Sequence, residues 1–541
     1  MSKARLNRLV KVLLALPLVL MALSLILQPD VYIYRGETLF NGDNAYRILQ
    51  YITANFKNRV VGTNADREIA YWIAEYFESL GLETHVDVFK APSFGGGRVD
   101  AYNVYAVKRG STDAYILLMA HHDIVPWTTE GANDNGGGLA VLMELARIFA
   151  KRDTKYGIIF LSPDAEETGL HGSERFAATF GGEIVAAISI DMCTWKDHEG
   201  VAPYAFMYPP STFSDGGIVF LLQKIGNVGG AAKVLGTDIA VATSRLLLII
   251  GGTDSMPFVK RGVVALGIVD WPLYPYWHKP EDSIDKVSSE SLREVGVLVE
   301  RLVLSIDRGG VPVLTRQYLF LSDKVIPGAY IYCSWLAILI AVSLAVIDLL
   351  GRGILGQSIK VFSTFLALYL LLSLSSMLAI YVLKTALPVL VVVVALSVLI
   401  CRVLSRRQLS RVRAEALKLS SLFPALVLAA LGMLNPSLAI LLLLPLVYAI
   451  VPARPIERRK LRILCRMLLP TFAFITPTVI IVAGSAILGL KEFDRTLSNL
   501  VAIGLRKEPQ LVIALFASFS IPASGVSSAV CLLSKRFPIE Q

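Results

Sequence analysis

Two histidines and several carboxylates fall in five short segments of this chain, in fixed order. They are Ala120-His121-His122-Asp123, Gly131-Ala132-Asn133-Asp134-Asn135-Gly136, Asp164-Ala165-Glu166-Glu167-Thr168-Gly169, Ser189-Ile190-Asp191-Met192 and Trp277-His278-Lys279-Pro280-Glu281-Asp282. Each sits beside an apolar run or a Gly-rich turn. Neutral imidazole nitrogen and carboxylate oxygen suit Zn²⁺, and two such ions about 3.5–4 Å apart can hold a bridging water. In kind and number these donors meet what a two-cation hydrolytic centre needs.

Such donors need rigid elements to aim them. Helical periodicity runs over 43–56 and 64–80, with Asn64 or Asp66 available near the second helix's N-terminus. Residues 83–90 and 101–108 alternate as strands do, and 115–119, 156–161, 185–190 and 263–268 are short apolar runs of buried-strand type. Residues 136–152 and 288–307 read as helices. Strand and helix alternate, which predicts an α/β domain with a mostly parallel sheet and helices on both faces. His121, Asp164 and Asp191 then fall just beyond strand C-termini, where open α/β sheets bind ligands in the crevice between loops.

The segment from about residue 43 to 308 resembles the co-catalytic di-zinc aminopeptidases of metallopeptidase family 28. That family also holds carboxypeptidases, glutaminyl cyclases and membrane-anchored relatives. The resemblance implies a zinc-aminopeptidase-like fold carrying two Zn²⁺ per chain, with His121, Asp134, Glu167, Asp191 and His278 as ligands. Asp134 matches the bridging carboxylate. Asp191 is expected beside Glu167 and His278 beside His121. Glu166 matches the general base, which takes the proton of the attacking water and passes it to the leaving amine.

Asp123 is placed to fix the His121 tautomer, whereas His122 points to the opposite side of the chain and is not expected to bind metal. Asp282 either orients His278 or caps its turn. Asp254, in the segment 252–258, matches a family stretch lining the substrate pocket. Several relatives carry a Tyr before the last His to steady the oxyanion. Here that position is Trp277, with Tyr276 one further back, so both are read as pocket residues. The oxyanion donor stays open among Tyr276, Tyr204, Tyr208 and Tyr274.

The implied activity is metal-assisted hydrolysis near a chain terminus, with peptides as substrates. Aminopeptidase action is favoured because it is the commonest in the family. Carboxypeptidase and glutaminyl cyclase chemistry are the alternatives within it. A different class is a non-catalytic scaffold, because the layout also resembles the attachment subunit of the GPI transamidase. Such relatives have lost metal ligands, and this chain keeps all five and the base.

At 54% hydrophobic residues over 541 positions, and a mean hydropathy of +0.59, the chain is too apolar for an ordinary soluble protein. The apolar excess lies at both ends. Residues 1–29 read as an N-terminal anchor, 30–325 as an extracytoplasmic peptidase domain, and 326–541 as an all-α transmembrane domain of about seven helices. Expected spans lie near 9–28, 328–350, 361–383, 386–404, 420–433, 437–452, 467–489 and 510–533. As one helix, 421–451 would be about 46 Å long, well beyond a bilayer core of about 30 Å, and Asn435-Pro436 offers a turn.

Lys3, Arg5, Arg8 and Lys11 precede the first span, and its length suits an uncleaved anchor better than a signal peptide. Basic clusters at 402–418 and 454–466 flank later spans. They assign both termini to the cytoplasm. The same placement accounts for the net charge of +9 without nucleic acid. Ionisable residues are scarce inside the spans, which speaks against transport and suits an anchor or a surface for a membrane partner or second copy of the chain. Five cysteines are too few and scattered for a disulfide framework, and Cys193 is alone in the water-soluble domain.

Overall fold

The computed structural model describes residues 3–204, 214–235, 252–314, 318–321, 323–350 and 353–383, with isolated positions at 392, 416, 419, 420 and 422. The chain divides into two units, Leu27–Pro327 and the segments on either side of it.

The Leu27–Pro327 unit is built on a seven-stranded sheet. Its strands are β1 (Glu83–Pro92), β2 (Arg98–Lys108), β3 (Ala114–Met119), β4 (Gly157–Ser162), β5 (Glu183–Ile190), β6 (Gly200–Tyr204) and β7 (Ala265–Trp271), in the order β1-β2-β4-β3-β5-β7-β6. The four central strands β4, β3, β5 and β7 run parallel. Both flanks are antiparallel: β1 to β2, β2 to β4, and β6 to β7. The sheet is therefore mixed rather than mostly parallel. Residues 93–97 are too few to carry a parallel crossover between β1 and β2, so that pair must form a hairpin. A small second sheet joins β8 (Tyr318–Leu321) and β9 (Lys324–Pro327).

Helices cover both faces of the large sheet. Ile116, Leu118, Ile158 and Phe160 pack in one apolar cluster with Leu49, Ile73, Leu142 and Leu298. These come from α2 (Gly42–Asn55), α3 (Asn64–Ser79), α4 (Gly137–Phe149) and α8 (Ser289–Gly309). The intervening Leu117, Met119, Ile159 and Leu161 face the other way, against Phe176 of α5 (His171–Thr179) and Phe258 of α7 (Met256–Lys260). Side chains alternate across a strand, so a strand buried on both faces must be apolar throughout. Truncating Leu118 or Phe160 to Ala would cost about 2–5 kcal/mol in so closed a core.

Local chemistry sets the helix ends. The Asn41 side chain accepts from Asn44 N at the start of α2, and Ser288 and Ser291 cap α8 reciprocally. At α3 the cap is Thr63, not Asn64 or Asp66: its hydroxyl accepts from Asp66 N at 3.2 Å. That arrangement turns the Asp66 carboxylate inward, where it is buried. β6, α7 and α6 (Gly216–Ile225) stand outside the elements expected from the sequence.

In the other unit, α1 (Lys3–Ile26) packs against α9 (Gly328–Leu350), and α10 (Leu355–Leu383) follows. Arg8–Ile26, α9 and α10 are long and apolar enough to cross a membrane. Isolated positions aside, the spans expected from 386 onward, the basic clusters around them and Tyr208 lie outside the described residues.

Candidate metal centre

All four parallel strands deliver a residue to one end of the sheet. His121 follows β3, the Glu166-Glu167 pair follows β4, Asp191 follows β5, and His278 lies on the segment after β7. Asp134 arrives on the turn 132–136 that opens α4. Its carboxylate is shared: Oδ1 is 3.6 Å from His121 Nε2, and Oδ2 is 3.4 Å from His278 Nε2.

Around it are two donor groups, His121 with Asp134 and Asp191, and His278 with Asp134 and Glu167. His121 Nε2 is 3.5 Å from Asp191 Oδ1, and His278 Nε2 is 2.8 Å from Glu167 Oε2. This reverses the expected partners: Asp191 stands beside His121, and Glu167 beside His278. Sheet order leaves the choice open, because β3 is hydrogen-bonded to both β4 and β5, so the course of the loops after those strands decides it.

The loops are held from behind. Asp123 is buried, with Oδ1 accepting from Glu166 N at 3.1 Å and Oδ2 from Glu167 N at 3.2 Å. It therefore positions the Glu pair, besides lying 3.4 Å from His121 Nδ1. Asp282 neither orients His278 nor merely caps its turn. Its carboxylate accepts from Asn133 N at 2.9 Å, Asp134 N at 3.1 Å and the Tyr274 hydroxyl at 2.8 Å. Asn133 donates to Asp270 at 2.7 Å, and Asn135 to the Ile190 carbonyl at 2.9 Å, so both amides fix the turn presenting Asp134.

Arg59, which the sequence reading passed over, is fully buried. It donates to the carbonyls of His122 at 2.7 Å and Gly131 at 2.8 Å, and to that of Glu130, tying two ligand loops together. The Trp127 indole donates to the His278 carbonyl at 2.9 Å. Ala165, Met192 and His278 have left-handed φ of 57°, 49° and 53°, each at or next to a chemical residue. Side chains with a Cβ are disfavoured there, and such strain collects at functional sites.

Electrostatics shows what the site lacks. Burial raises Glu166 well above the usual carboxylate range, Glu167, Asp191 and Asp254 adding repulsion against the pull of His121. Glu167 is raised the same way, first by burial and then by Asp134. Burial opposes charge on His121, yet Glu166 and the carboxylates of Asp123, Asp134 and Asp191 outweigh it and lift its proton affinity well above that of free imidazole. Glu166 and Glu167 reluctant to ionise, beside a His121 that holds its proton tightly, mark a site short of positive charge. Glu167 Oε1 is moreover buried without a hydrogen-bond partner. Imidazole and carboxylate donors lying within 4.8 Å of one another fit divalent cations, and zinc in particular.

The expected pocket residues divide. Asp254 is buried, pushed up to about 7 chiefly by burial, and interacts with His121 and Asp191. Trp277 is 44% exposed, with its ring centroid 4.7 Å from that of His278. Tyr276 instead meets Tyr274 edge-on and lies under the Lys286 ammonium. The Tyr274 hydroxyl donates a hydrogen bond to Asp282. Tyr204, at the end of β6, lies in the field of Asp191 and Glu166, and burial raises its phenol.

Residues 103–303 match the profile of Peptidase family M28. The chain is 27% identical over 194 residues to the aminopeptidase YwaD of Bacillus subtilis, covering 35% of this chain and 40% of that one. It is 25% identical over 236 residues to a probable zinc metalloprotease of Leptosphaeria maculans (38% and 52%). It is 22% identical over 273 residues to the glutaminyl-peptide cyclotransferase of Drosophila melanogaster (46% and 76%). The chain spans about half or less of the length of the first two relatives.

Proposed function

We propose that this chain, whose residues 103–303 match peptidase family M28, is a membrane-bound zinc exopeptidase with two Zn²⁺ per chain, acting as an aminopeptidase on peptides. The observation that carries the reading is the Asp134 carboxylate shared between two imidazole-carboxylate groups, with Glu166 beside them. In this reading residues 30–325 form a zinc-aminopeptidase-like domain outside the cytoplasm. Residues 1–29 and 326–541 are membrane parts, with both termini cytoplasmic. The spans serve as an anchor or as a surface for a membrane partner or a second copy. Among the described residues, three helices long and apolar enough to cross a bilayer support that layout.

Zinc bound by His121, Asp134, Glu167, Asp191 and His278 would supply a Lewis acid that polarises the scissile carbonyl and acidifies a water. Glu166 takes one proton from the attacking water as its oxygen bonds to the carbonyl carbon. It returns that proton to the nitrogen as the C–N bond breaks. A carboxylate facing the attacking water can carry the proton in both steps. Asp123 holds the Glu166 and Glu167 amides in register throughout.

The test is zinc content and aminoacyl-anilide hydrolysis by the full chain in detergent, beside Glu166→Gln. Activity lost by about 10²–10⁴ with zinc retained is expected. Properly folded protein without stoichiometric zinc would favour the non-catalytic scaffold. Metal without anilide turnover, but with release of a C-terminal residue or cyclisation of an N-terminal glutamine, would reassign the reaction within the family.

A further inference from the structure

His122 was expected to take no part in metal binding, and its ring lies in a buried group with Asp66 and Asp164, apart from the donors around Asp134. Its Nδ1 lies 2.9 Å from Ser162 Oγ. Its Nε2 faces two carboxylates, 3.6 Å from Asp66 Oδ1 and 4.0 Å from Asp164 Oδ2. All three side chains are fully buried, and His122 Nε2 and Asp66 Oδ1 have no hydrogen-bond partner. At 3.6 and 4.0 Å these atoms are too far apart to bond one another. Ligand atoms around a tetrahedral ion at about 2.0–2.1 Å are separated by roughly 3.3–3.5 Å; the contact to Asp66 is near that spacing, and the one to Asp164, at 4.0 Å, is wider.

Main-chain donors hold both acids in place; of the atoms facing His122 Nε2, Asp66 Oδ1 has no partner and Asp164 Oδ2 already accepts one hydrogen bond. Asp66 Oδ2 accepts from Gly62 N at 2.9 Å. Asp164 accepts from Ala165 N at 2.6 Å with Oδ1 and from Tyr102 N at 2.6 Å with Oδ2. Arg59, the nearby buried cation, spends its donors on main-chain carbonyls and bonds neither acid. A buried carboxylate pair beside a neutral ring is costly unless a positive charge enters between them. Mixed nitrogen and oxygen donors suit a borderline ion such as Zn²⁺.

We infer that Asp66, His122 and Asp164 hold a third divalent cation, separate from the proposed catalytic pair and structural in role. It pins the first turn of α3, through Asp66, to the loops after β3 and β4 that present His121 and the Glu166-Glu167 pair. The site rests on this geometry and stands whether or not the neighbouring centre is catalytic.

The experiment counts zinc by mass spectrometry on the full chain in detergent, equilibrated with Zn²⁺ alone and freed of excess. Wild type should hold three ions per chain and Asp66→Asn two. Equal counts in the two proteins would overturn the inference and leave a shared proton between the acids. If Asp66→Asn does not fold, the His121→Ala/Asp134→Asn/His278→Ala protein decides. One retained zinc supports the buried site, and none overturns it. The difference between that protein and wild type separately reports the catalytic pair, so the two readings fail independently.

Discussion

His278 Nε2 lies 2.8 Å from Glu167 Oε2, a contact made across the mouth of the sheet by loops following β7 and β4. The pair should therefore lose the same ion. Glu167→Gln/His278→Ala is expected to bind one zinc fewer than wild type at the Asp134 centre, with no greater loss than either single variant. Combining Glu167→Gln with Asp191→Asn should strip both ions. Zinc titration of the double variants checks this, and additive losses in the first would return Glu167 to the side of His121.

Asp282 touches no donor imidazole, yet it holds the main chain of Asn133 and Asp134. Replacing residues that orient ligands typically costs 10–100-fold in metal affinity. Asp282→Asn should weaken zinc binding by about that factor while the protein still folds, as judged by competition with a chelator. Unchanged affinity would mean that the turn holds its shape without the carboxylate.

Tyr204 lies in the field of Asp191 and Glu166, and we propose it as the oxyanion donor. Loss of one oxyanion donor usually lowers kcat by about 10²–10³. Tyr204→Phe should show such a fall with KM within a few-fold. Full activity in Tyr204→Phe would shift the role to another group.

Burial raises Asp254 and Asp282 to about 7 and Asp164 to about 8. A carboxyl whose folded value is raised favours folding below its ordinary range, and that contribution is lost as pH climbs through the folded value. Metal-stripped protein should accordingly melt several degrees lower at pH 8 than at pH 5. Zinc should abolish the fall, because a cation favours the ionised acids. Thermal scans of chelated and zinc-loaded full chain at both pH values check the sign.

The sequence exposed the site more fully than its wiring. His121, Asp134, Glu167, Asp191 and His278 could be picked out through their resemblance to the motifs of the di-zinc aminopeptidases, and the structure brings all five into two donor groups. Which acid serves which imidazole was hidden, since β3 bonds to both β4 and β5 and spacing does not say which loop leans toward His121. Arg59 and Asp66 left no periodic signal, because they act from a turn and a capped helix end upon main-chain and buried atoms. Asp282 was visible but misread: a carboxylate serving amides on a distant turn has no signature in local spacing. The antiparallel edges were legible in part, through the short link at 93–97, while β6 was too brief to stand out.

The left-handed backbones at Ala165, Met192 and His278 set heat resistance against chemistry in this protein. Each non-glycine residue there gives up about 1 kcal/mol or more relative to an unstrained conformation. A population evolved for thermal survival alone should drift toward glycine at these positions, relaxing the loops and loosening the aim of their donors. Sequencing the survivors of such a selection would reveal the drift. A lineage that keeps all three side chains while growing more heat-stable is being held there by its chemistry.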